Sequence, residues 1–113
     1  MARRDPSLDS LLDLHGQVLV IDEAGYWVRF IVNQVPVTAQ KPLDYSLTLH
    51  GSDGTRLVGF DNAHQVGDKR RAEQDHKHRL RTVRPYAYRE AAALVADFWA
   101  EIEALMHERG VWP

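Results

Sequence analysis

The chain has no cysteine, so disulfides, thiolate nucleophiles and cysteine-ligated zinc are all excluded. A reducing, cytoplasmic setting suits such a composition. No stretch approaches the roughly 18 consecutive apolar residues of a membrane span. The opening Met1-Ala-Arg-Arg-Asp-Pro6 leads into no apolar run of the kind a secretion signal carries. Internal repeats and low-complexity tracts are missing. So are a Walker loop, a dinucleotide fingerprint, a His-Glu-X-X-His pair and a nucleophile elbow. Together these absences argue against nucleotide-driven, zincin and serine-hydrolase chemistry, and no cofactor is expected.

What is present is globular in character. The 113 residues are 44% hydrophobic and 27% charged, which suits one domain over residues 1–113 with a real core. The formal charge of −2 conceals an asymmetry. Between His64 and Arg84 seven Lys or Arg stand against three acids, whereas from Arg89 to Gly110 two arginines stand against five acids. A basic segment followed by an acidic one permits an anionic partner without making the whole protein basic.

Hydrophobic periodicity divides the chain. Leu8, Leu11 and Leu12 have the spacing of a short amphipathic helix that Ser7 could cap, or they open a ragged strand. Gln17 to Asp22 and Tyr26 to Val35 are β-rich and flank a turn at Asp22-Glu-Ala-Gly25, predicting a first hairpin. Both faces of the second run are largely apolar, so it is expected in the sheet interior or covered on both sides. Tyr45, Leu47 and Leu49 alternate with Ser46, Thr48 and His50, and Asp53-Gly54 precedes a return strand through Phe60. From Arg89 to Arg109, Ala91, Leu94, Val95, Phe98, Ile102, Leu105 and Met106 fall at helical spacing. The expected architecture is α+β: an antiparallel sheet of four to five strands, built from two hairpins and covered by one long C-terminal helix, with a possible short N-terminal helix. A long polar loop is expected at about 62–81.

The residues fit for chemistry concentrate there, in two poles. Asp61-Asn62-Ala63-His64 leaves the end of the fourth strand, where Asp61 could orient His64, or Asn62 and His64 could contact a phosphate. The plain alternative is an Asp/Asn turn whose side chains bond nearby amides. Asp75-His76-Lys77-His78-Arg79 is the second pole. In an extended backbone His76 and His78 would point one way and Lys77 and Arg79 the other. Two imidazoles suit the general base and general acid of RNA cleavage by the neighbouring 2′-hydroxyl, with a cation offsetting charge on the phosphorane. His64, His76 and His78 with Asp61 or Asp75 could equally hold a divalent metal, and a solvated His-X-His loop remains a third reading. Lys69, Arg70 and Arg71, with Lys77 and Arg79, form the candidate nucleic-acid contacts. Trp99 and Trp112 are candidates for a partner surface if exposed.

The strand Tyr45-Ser-Leu-Thr-Leu-His50, the motif Gly59-Phe-Asp-Asn-Ala-His64, the following Asp75-His-Lys-His78 and a closing Ala96-Asp-Phe-Trp99 helix resemble the TumE-like family of bacterial toxin–antitoxin systems. The likeness covers roughly residues 11–107, with the two His-bearing motifs as its specific part. It implies a cytoplasmic growth inhibitor held by a cognate helix-turn-helix antitoxin. RNA as substrate follows from the residues' chemistry rather than from the family. A non-enzymatic protein-binding module and a metal-binding structural domain stand as alternatives, and pairing with a second copy of the chain is left open.

Overall fold

The computed structural model describes residues 7–34, 43–62, 75–80 and 82–113, with only the backbone described at 34, 43, 75, 76, 82 and 83. Helix α1 spans Leu8–Leu12. Six strands follow: β1 Val18–Val20, β2 Trp27–Gln34, β3 Leu43–His50, β4 Arg56–Asp61, β5 Asp75–Arg79 and β6 Thr82–Tyr86. Helix α2, Ala91–Glu108, closes the set. The strands form one open antiparallel sheet whose spatial order is the chain order, β1 to β6. The α+β expectation holds, and α1 is a helix. The sheet has six strands because residues 75–79, expected within a polar loop, pair with β4 and turn back into β6.

One face of the sheet makes the core. Val28, Phe30 and Val32 of β2, Tyr45, Leu47 and Leu49 of β3, and Val58 and Phe60 of β4 are buried against Ala91, Leu94, Phe98, Ile102, Leu105 and Met106 of α2. The two periods interlock here, 2 along the strands and 3.6 along the helix. Phe98 sits at the centre, edge-on to both Phe30 and Phe60. Strand β2 is interior as its composition suggests, and on the face away from the core Arg29 is exposed. Trp99 and Trp112 are half-buried and pack onto the core's margin.

The ends are tied by side chains. Ser7 makes no side-chain cap to its own helix; its hydroxyl instead accepts the Ala92 amide at 2.9 Å, satisfying a donor in the first turn of α2. Because β1 has only three residues, part of β2's outer edge is left to other partners. His15 Nδ1 accepts the Val32 amide at 3.0 Å, and the backbone of Gly16 and Gln17 pairs with Phe30. The β3–β4 turn uses Gly54 at φ +86°, a left-handed position natural to glycine. Beside it the Thr55 amide, then its hydroxyl, holds the Asp53 carboxylate below its ordinary range.

Candidate functional site

On the opposite face of the sheet, which no helix of the described residues covers, polar residues of four strands meet. Its layout follows from register. Arg29 pairs with Thr48, Thr48 with Gly59, and Gly59 with His78, so these four positions form one straight row across β2 to β5. In the neighbouring row Ser46 pairs with Asp61 and Asp61 with His76. Asp61 and His78 are therefore diagonal cross-strand neighbours, a geometry within reach of longer side chains.

They meet. Asp61 Oδ2 lies 2.8 Å from His78 Nε2, with the two side chains 21% and 17% exposed, shielded but still reachable from solvent. The carboxylate fixes the ring's orientation and faces whatever charge the ring acquires. An imidazole held by a carboxylate is a group able to take or give a proton in general acid–base chemistry. Position 59 between Thr48 and His78 has no side chain, and the Arg56 stem fills that space. A methyl group built on Gly59 would stand 3.4 Å from Arg56 Cδ and 3.6 Å from Thr48 Cγ2. Arg29 and Arg56 are exposed and pair with no carboxylate among the described residues. Among the described residues the site thus offers one imidazole, one carboxylate and two guanidinium groups without a carboxylate partner.

Farther along the same face, His50 stacks on Trp27 with ring centroids 4.0 Å apart and planes 10° from parallel. Its Nε2 lies 2.9 Å from Thr48 Oγ1 and its Nδ1 lies 3.1 Å from the Gly54 carbonyl, so the ring is held on both sides. Beyond Trp27, Gly16, Val18, Val20, Trp27 and Arg29 line an open pocket of about 470 Å³.

The residues picked from sequence separate into three groups. Asp61 and His78 come together. His76 occupies the register position opposite Asp61, and Asp75 opens the same strand; their side chains lie outside the described residues, as do His64, Lys69, Arg70 and Arg71 altogether. Lys77 and Arg79 go to the other face of the sheet. Lys77 Nζ pairs with Glu101 of α2 at 2.8 Å, and Arg79 pairs with Glu108. Asn62 is 2% exposed, and its Oδ1 accepts the Tyr45 amide at 2.8 Å while its own amide reaches the Tyr45 carbonyl. That side chain extends the β3–β4 ladder past its last strand residue, a cross-strand role rather than a local turn. Sequence reasoning passed over Trp27, Arg29, His50 and Arg56. Their signal was their phase, since the first three alternate with buried residues along their strands, but only the strand through His50 marks its inward face in the sequence. Among the described residues no group of three or more His, Asp or Glu side chains is placed to share a metal ion.

Among the described residues, then, one sheet is backed by one long helix, with a paired acid and imidazole on its other face. The family described as Toxin TumE matches residues 9–106, and the chain belongs to that family. No curated protein and no solved structure matches it. Among the described residues no helix is long and apolar enough to cross a membrane.

Proposed function

We propose that the protein is the toxin of a toxin–antitoxin pair and acts on RNA as an endoribonuclease, working in the bacterial cytoplasm and restrained by a cognate helix-turn-helix antitoxin. The observation that carries this reading is the 2.8 Å contact between His78 and Asp61 on the bare sheet face. In the reaction one imidazole takes the proton of a 2′-hydroxyl, whose oxygen attacks the adjacent phosphorus. The bond from phosphorus to the 5′-oxygen breaks, and a second acid returns a proton to that oxygen, leaving a 2′,3′-cyclic phosphate and a 5′-hydroxyl. His78 is held ready for one of these transfers by Asp61. His76, in the register position opposite Asp61, or His64, three residues beyond it in the chain, supplies the other. Arg56, lying over Gly59, offsets the charge of the phosphorane.

The test is cleavage of cellular RNA by purified protein in the presence of EDTA. Wild type should cut and His78→Ala should not, with a 2′,3′-cyclic phosphate on the upstream product. Absence of cutting by wild type sinks the proposal, and cutting that EDTA abolishes transfers the site to a metal.

A second reading is favoured by a different observation. Strand β1 lies at the sheet edge with Val18, Leu19 and Val20 exposed at 54, 42 and 70%. Exposed apolar residues on an open edge suit a protein partner, so the chain could inhibit growth by binding alone. In that case His78→Ala expressed without antitoxin would arrest growth as fully as wild type.

A further inference from the structure

The ribonuclease reading accounts for Asp61, His78 and Arg56 but leaves the Trp27 end of the bare face without a task. We infer that the pocket beside Trp27 is a nucleobase subsite, which seats an unpaired base of the RNA whose backbone crosses to His78; the inference rests on the reading of that face as the RNA surface.

Three features of the site carry it. First, the indole is already stacked on one side. His50 lies toward β3, and the pocket residues Val18 and Val20 belong to β1 on the other side, with Val20 paired directly to Trp27. An aromatic plane backed by a second ring and walled by aliphatic side chains matches the flat, apolar faces of a base. Second, the charge fits a nucleic acid. Arg29 lines the pocket and Arg56 lies between it and His78, both exposed and without a carboxylate partner among the described residues. A phosphate backbone crossing the face would meet cations on its way. Third, pocket and proposed reaction centre belong to one row. Val18, Arg29, Thr48, Gly59 and His78 are successive register partners from β1 to β5. Arg29 is thus three strand spacings from His78, about 14 Å, with the Arg56 stem over Gly59 between them. The ligand class that satisfies an aromatic slot, a line of arginines and a distant proton-transfer pair is single-stranded RNA. In a duplex the base that would fill the slot is stacked and paired.

The experiment measures binding, separately from cleavage. A short fluorescent oligoribonucleotide, 2′-O-methylated so that it cannot be cut, is titrated with the full chain and followed by anisotropy. Wild type should bind it, and bind the same strand in a duplex more weakly. Trp27→Ala should weaken single-strand binding roughly 5- to 100-fold, the range of one lost base stack, while Trp27→Phe should restore most of it. Val20→Glu, at a position 70% exposed and therefore neutral for folding, should weaken it comparably. Circular dichroism and thermal melts verify that each variant is folded, and Val20→Glu decides if Trp27→Ala is not. Retained affinity in folded Trp27→Ala and Val20→Glu overturns the subsite even where wild type cleaves RNA. Binding that these changes weaken, in a protein that cuts nothing, upholds the subsite and removes the ribonuclease. Loss of antitoxin binding with RNA affinity intact makes the pocket a protein contact and likewise overturns it.

Discussion

On the helix side of β5, Lys77 and Arg79 end on Glu101 and Glu108 of α2, while on the bare side His78 ends on Asp61. Both contacts join oppositely charged or chargeable groups, yet they do different things. The first pair of contacts sews a strand to a helix along the margin of the core and neutralises two cations in doing so. The second holds a titratable ring on the face away from α2, still partly exposed. A basic segment and an acidic one, adjacent in sequence, are thus partly each other's partners. The cations offered to an anionic ligand on the described bare face, Arg29 and Arg56, come from β2 and β4 instead.

The contrast is open to direct attack. The largest effect should come from His78→Ala, which is expected to lower RNA cleavage by about 10²- to 10⁴-fold with the melting profile nearly unchanged. Lys77→Met, assayed alongside, should cut nearly as well as wild type. Equal losses in the two variants would erase the functional difference between the faces. Asn62→Ala should come next, this time in stability, because a buried backbone amide loses its acceptor; denaturant unfolding should show a loss of about 1–3 kcal/mol. Cleavage per folded molecule should persist in that variant, and its disappearance would return Asn62 to the reacting groups. Leu80, in the β5–β6 turn, has φ +53° and is exposed. A leucine there is strained, so Leu80→Gly should raise stability by about 1 kcal/mol and sharpen β5's pairing, seen as slower amide exchange in the hairpin. The smallest effect belongs to the Lys77–Glu101 pair. Its side chains are 34% and 24% exposed, so solvent screens it, and a double-mutant cycle should give below about 1 kcal/mol, less at high salt.

Much of this was legible beforehand. The alternation of Tyr45, Leu47 and Leu49 and the helical stripe through Phe98 state their own burial, and the β3–β4 turn is written in Asp53-Gly54. Strand β5 was not legible as a strand, for a physical reason. Its inward positions are Lys77 and Arg79, whose cations find carboxylates on α2, so the usual alternation of apolar and polar residues is replaced by one of cation and histidine. Its turn into β6 lacks the glycine or asparagine that announces most hairpins, and Pro85 argues against a strand unless that strand is an edge, which β6 is. The Asp61–His78 contact was hidden for the same reason. Its parts were named, but only β4–β5 pairing makes them diagonal neighbours; sequence proximity had favoured His64 as the partner of Asp61. The open-face row through Arg29, Thr48 and Gly59 needs register across four strands, which local patterns do not supply.

A sheet whose spatial order is its chain order has a bearing on how the protein is made. Each strand pairs with the strands next to it in the chain, so pairing can spread from neighbour to neighbour, with the longest closure between β4 and β5, and such local wiring favours fast folding. The well-marked β3–β4 hairpin is the natural place to start. Helix α2 follows all six strands, and until it docks the core face of Phe30, Leu47 and Phe60 stays wet. Asp61 and His78 would be near each other as soon as β5 pairs, but held firmly only once Phe98 is in place. On the proposed reading, the activity of this pair therefore waits for α2 to dock.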